Sequence, residues 1–170
     1  MRRKEDIKLS TFDVAPRIFS YTHYVGESRR NSGFDIKLAA SIQASPDDYI
    51  QLSDQINIAI SELVKITNTV FGTCKASNVP DSEHEGYSII TFTLAPPQYF
   101  PMHLLGELRN TMINYMVMRT LQHWMLQQKP DEAAIITSES EKIAVQLREL
   151  MNCRMKPRKA HKASKTNIKI

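Results

Sequence analysis

The sequence predicts a mainly α-helical protein with a small β part: a bundle of three to four helices with a β-hairpin inserted between the long ones. Two long segments carry apolar residues at helical spacing, and between them the period changes to that of strands. Only five glycines among 170 residues argue against a loop-dominated fold, and a hydrophobic fraction of 42% is enough for one packed domain.

The first long helix is expected from Ser45 to Gly72. Ser45 suits an N-cap, Pro46 the first helical position, and Asp47 and Asp48 the positive end of the helix dipole. Tyr49, Leu52, Ile56, Ala59, Ile60, Leu63, Ile66 or Thr67, and Val70 then fall on one side. Gly72 supplies the stop, since it takes the left-handed conformation that ends a helix.

The hairpin occupies about 73–94. Thr73 to Val79 reads as a short strand, Pro80 to Gly86 as a polar turn, and Tyr87 to Leu94 as a β-rich run ended by Ala95-Pro96-Pro97. The connection is longer than a tight hairpin needs, so its acidic tip (Asp81, Glu83, Glu85) is expected to project as a contact element outside the core.

The second long helix is expected from Pro101 to Gln128. It is apolar nearly all round, with Leu108, Met112, Met116, Leu121 and Trp124 among its large side chains, and five of the chain's eight methionines lie in it. Such a helix is buried on several sides, by its own domain or by subunit neighbours. Its apolar surface looks like more than two other helices and a hairpin can cover, which points to an oligomer. Lys129-Pro130-Asp131-Glu132 breaks it and starts a third helix running to about Asn152. The stripe of that helix is Ile136, Ile143, Leu147 and Leu150 or Met151, with Thr137 to Glu141 facing water.

Residues 1–44 form an N-terminal arm with a short helix. Ile7-Lys8-Leu9 reads as a strand, Thr11 or Asp13 as the cap of a helix through Ile18, Phe19 and Tyr21, and Gly26 to Gly33 as a mobile polar loop. The core is assigned to 45–153 and a basic C-terminal tail to 154–170.

That tail holds seven bases (Arg154, Lys156, Arg158, Lys159, Lys162, Lys165, Lys169) and no acid. The whole chain has 22 bases and 18 acids, so the part before Arg154 keeps all 18 acids against 15 bases. The formal charge of +4 thus belongs to the tail. A mildly acidic body with a positive strap suggests a protein that fastens itself to something. As a phosphate binder the tail would give salt-dependent, sequence-independent affinity. As an assembly arm it would use its end, where Asn167-Ile168-Lys169-Ile170 alternates and can add as a strand to a neighbour's sheet edge. The plain alternative is a solvated tail.

No apolar run approaches the about 20 residues of a membrane span, and no signal-type segment follows the charged start, so a membrane partner and export are not expected. Cys74 and Cys153 stand far apart and read as reduced thiols. His23, His84, His103, His123 and His161 are scattered, with no two at ligand spacing, so no metal site is expected. The acidic pairs Asp47/Asp48 and Asp131/Glu132 are explained by helix first turns, and Glu139/Glu141 by a solvated face. No phosphate loop or nucleophile elbow appears. No catalytic residue and no cofactor is assigned, and the expectation is a protein that is not an enzyme.

Four segments resemble small structural proteins encoded among the head–tail connector (neck) genes of tailed phages and prophages of gut Bacteroidetes. Ser20-Tyr21-Thr22-His23-Tyr24-Val25-Gly26 is similar to the family's early Tyr-Thr-Gly type segment, with a His and an extra Tyr-Val before the glycine. Asp47 to Leu63 resembles its first long amphipathic helix. Asn114 to Asp131 resembles its buried helix with a late Trp before a break. Leu150 to Arg158 resembles its close, a last helix turning into Arg-x-x-Pro and a basic tail. The resemblance covers most of the chain from residue 14 on, through soft motifs. It implies a head–tail adaptor-like fold and a homo-oligomeric ring of about twelve copies on the portal. That ring would bridge to another neck or tail protein and surround the DNA channel, in a virion assembled in the host bacterial cytoplasm. The alternatives are a tail-completion or terminator protein of the same virion, and a small DNA-binding accessory protein using the tail on phosphates. Against the last, the body is acidic and no helix carries a base-reading Arg/Lys row.

Overall fold

The computed structural model of the chain describes residues 4–33, 36–72 and 74–154. Among them the fold is mainly helical with one small antiparallel sheet. Strand β1 (Glu5–Ser10) leads into a 3-10 turn and helix α1 (Ala15–Asn31), followed by the short α2 (Ile36–Ile42) and the long α3 (Tyr49–Phe71). Strands β2 (Cys74–Pro80) and β3 (Ser88–Leu94) precede α4 (Leu105–Gln128) and α5 (Pro130–Asn152).

The ends of α3 follow from local chemistry. The Asp48 carboxylate accepts from the Ser45 backbone N–H at 2.8 Å and from its hydroxyl at 2.8 Å, closing a capping box around the 3-10 turn Pro46–Asp48. At the other end Gly72 has φ 75° and donates its N–H to Asn68 O at 3.0 Å, a left-handed stop that a side chain would strain.

Helix α4 is the centre of the molecule. It packs against α5 on one side and α3 on the other, with α1, α2 and β1 on what remains. Leu108, Met112, Met116, Leu121 and Trp124 are all buried inside a single chain. Burial of each such side chain is worth about 1.5–3 kcal/mol, so this helix dominates the core. The expected shortage of cover is therefore corrected. The sequence does not announce that α1 and β1 return to this helix, and they supply the missing layer.

The hairpin also has a third strand. The sheet order is β1-β3-β2, both pairs antiparallel, with Ile7 opposite Phe92 and Ala76 opposite Phe92 on the other side. Central β3 alternates as expected, turning Ile90, Phe92 and Leu94 into the core.

Two further expectations change. Gly26 to Gly33 is not a loop: α1 continues through Gly26 to Asn31, and Arg29 pairs with Glu132 of α5. At Gly26 a Cβ would stand 2.9 Å from Ala39 O and 2.5 Å from Gln43 Cγ, so the glycine is where α1 meets the end of α2. Ser140, expected in water, is buried and donates to Thr137 O at 2.9 Å, which makes a small polar residue acceptable in the α5 stripe. The stripe otherwise stands: of the two residues left open for its end Met151 is the buried one, and Ile143 packs partly buried against the core. A single residue, Lys129, separates α4 from α5, with Pro130 in the first turn of the new helix.

Candidate functional site

The acidic loop after β2 is built into the fold at its first residue. Asp81 is buried, and its carboxylate accepts from Ser10 Oγ at 3.0 Å, from the Glu83 N–H at 2.9 Å and from His84 Nδ1 at 3.1 Å. The Glu83 N–H, with His84 and Ser10 adding to it, holds this carboxyl below the usual Asp range. The Asp81 N–H donates to Tyr87 O at 2.9 Å, closing the loop. The His84 ring stacks on Phe12 at 3.8 Å, and Phe12 meets Tyr87 edge-on at 5.3 Å. Asp81 is therefore a structural tie between the hairpin and the N-terminal segment, which corrects its assignment as a contact residue. Glu83 and Glu85 are exposed, so that reading is left to these two alone.

Beside this loop lies the least covered part of the fold. After Cys74, every residue of β2 from Lys75 to Pro80 is exposed. Register gives the reason. Cys74, Ala76 and Asn78 lie opposite Leu94, Phe92 and Ile90, hence on the core side of the sheet. Yet only Cys74 is buried, so β2 runs out beyond the helices with neither face covered. Burial pushes the Cys74 thiol up to about 11, which makes it an inert core group. Among the described residues β2 pairs only with β3, and its other edge is open. The sequence carried this signal: Lys75-Ala76-Ser77-Asn78 lacks the apolar alternation of a half-buried strand.

Of the basic tail, only Arg154 lies within the described residues. Its guanidinium donates to Met151 O at 2.8 Å and to Cys153 O at 2.7 Å, neutralising the carbonyl end of α5. Lys156, Arg158, Lys159, Lys162, Lys165, Ile168, Lys169 and Ile170 lie outside the described residues. The five large side chains of α4 named from the sequence are gathered in the core, away from any surface.

A second polar cluster lines the α3–α4 seam. Glu62 accepts from Arg119 Nε at 2.5 Å, from Arg119 Nη2 at 2.7 Å and from Tyr115 Oη at 3.1 Å. The Arg119 hydrogen bonds keep Glu62 below the usual carboxylate range, while burial first, then Glu62, pushes Tyr115 up to about 12. Every charge here is matched, which describes a fastening between helices and not a poised acid or base. An open groove of about 420 Å³ between α4 and α5 is lined by Val117, Met118, Glu139, Lys142 and Ile143. Among the described residues no three His, Cys, Asp or Glu side chains gather as metal ligands, and no helix is long and apolar enough to cross a membrane. The arrangement as a whole offers contact surfaces: an open strand edge, two exposed acids at its end, and the point where the basic segment leaves α5.

No protein-family model matches the chain, and no curated protein or solved structure matches it either.

Proposed function

We propose that this chain is a non-enzymatic structural protein of a tailed-phage virion, a head–tail connector that joins a ring of identical subunits between the portal and the tail. The observation that carries this reading is the division of the molecule. A body whose core closes within one chain is joined to a stretch, from Arg154 on, with seven bases and no acids. A self-sufficient body with a separate docking strap suits a subunit that holds neighbours by its ends. The helical body with a sheet built on an inserted hairpin is consistent with an adaptor-like architecture; three of the resembling segments fall mainly on α1, α3 and α4, and the described part of the fourth begins in the last turn of α5. Weak contacts become firm when closed symmetry repeats them around a ring.

Co-production with the portal protein of the same genome, followed by native mass spectrometry, tests the reading. A portal-sized complex containing several copies of this chain is expected. A chain that stays monomeric beside an intact portal ring overturns it. The DNA-binding alternative is separated by changing Lys156, Arg158, Lys159 and Lys162 to Gln. That change abolishes function if phosphates are the partner and weakens assembly only slightly if protein is.

A further inference from the structure

We propose that the open edge of β2 receives the segment Asn167–Ile170 of a second copy as a fourth, antiparallel strand. The proposal rests on the connector reading, which brings identical copies side by side, and names the partner of the strap.

The edge itself selects the site. The sheet has two outer strands, but β1 is packed on α4, and its Lys8 carbonyl already accepts from Arg109 Nε at 3.0 Å. On β2, Lys75 and Pro80 guard the two ends in the manner of protected edges. Between them Ala76, Ser77, Asn78 and Val79 are unguarded, a stretch that matches the incoming segment residue for residue.

Antiparallel pairing of these stretches sets Ile170 beside Ala76 and Ile168 beside Asn78. Both isoleucines then fall on the face of the sheet that carries Ala76 and Asn78, where they pack across the small Ala76 side chain and cover part of the bare overhang. Lys169 and Asn167 fall on the outer face beside Ser77 and Val79. The same direction carries Lys165 and Lys162 past the end of β2, alongside the exposed Glu83 and Glu85. The parallel direction would carry them toward Lys75 instead. Length permits a neighbour: residues 155–166 extended reach about 40 Å, against a radius of gyration of about 15 Å for a domain of this size, and the side-by-side copies of the connector reading make the neighbour's edge the one engaged.

A disulfide trap tests the pairing. One full-length chain carries Ala76→Cys, and a second of different mass carries Ile170→Cys, both with Cys74→Ala and Cys153→Ser and with folding checked by circular dichroism. Directly opposed strand residues lie within disulfide reach. On mixing and oxidation, a linked dimer about tenfold above a Val145→Cys control on exposed α5 is expected. It should be lost when the donating chain also carries Ile168→Asp. Product no greater than the control overturns the proposal. So does a chain bearing both cysteines that links only to itself. A portal complex that forms without the cross-link sinks this strand addition and leaves the connector reading standing. Cross-linking between copies that never join the portal does the reverse.

Discussion

The indole N–H of Trp124 donates to the backbone carbonyl of Ile42 at 2.9 Å, inside the core. That bond fastens the end of the short helix α2 to the central helix α4. The next residues are held as well, because Ala44 N–H donates to Thr22 Oγ1 at 3.0 Å. Trp124→Phe keeps much of the apolar area but removes the donor and part of the ring, leaving a buried carbonyl unpaired beside a small void. Such a loss costs about 1–3 kcal/mol, so urea unfolding should show a lower midpoint with an unchanged slope.

Gly26 gives a second test of the same corner. A helix interior ordinarily gains about 1 kcal/mol when Gly becomes Ala. Here the added Cβ would press on a backbone oxygen that cannot swing aside. Gly26→Val should destabilise by about 1–3 kcal/mol, measured by chemical denaturation. A neutral or stabilising result would mean that α1 and α2 do not meet as closely as described.

The hairpin loop divides into structural and free acids. Asp81→Ala removes the acceptor for Ser10, Glu83 and His84 and should lower the melting temperature. Glu83→Gln and Glu85→Gln, both exposed, should leave it unchanged. Equal effects from all three changes would contradict the division.

Stability should fall toward acid in two stages. Desolvation, with Arg119 nearby, lowers the pKa of His123 from its ordinary 6.5. The folded chain therefore binds fewer protons there than the unfolded one, and the stability present above about pH 6.5 is lost as pH falls through that range. Glu62 and Glu132, lowered from 4.5 chiefly by hydrogen bonds from Arg119 and Arg29, contribute stability above that value that disappears below it. Melting temperature recorded from pH 8 to pH 3 should decline first below about 6.5 and more steeply below about 4.5. His123→Gln should flatten the first stage and leave the second.

The parts of this fold that were legible from sequence are those whose cause is local. Ser45, Asp48 and Gly72 mark the ends of α3 through bonds spanning a few residues. Pro130 with Asp131 and Glu132 marks the start of α5 in the same way. What escaped depends on distant partners. The run Glu27 to Asn31 is polar and follows a glycine, so alone it resembles a loop; it is helical because Gly26 lets α1 lie against α2 and because Arg29 reaches Glu132. Asp81 in a polar turn reads as exposed until Ser10 arrives from the far end of the sheet. The open edge of β2 was half legible: its polar composition was in view, but its overhang depends on where the helices stop.

The single residue between α4 and α5 has a consequence for the order in which the structure forms. Two long helices joined at Lys129 find each other with almost no chain to close, whereas β1 must search for β3 across everything from Ser10 to Ile89. Loop closure is entropically costlier for the longer separation, and non-local strand pairing is slow. The helical hairpin should therefore be early and β1 late, and in the native protein β1 should open before the centre does. Native-state hydrogen exchange should release the amides of β1 at a lower free energy than those of α4 around Met116. The sheet that offers an edge to a neighbour would then be the last part of the molecule to be finished.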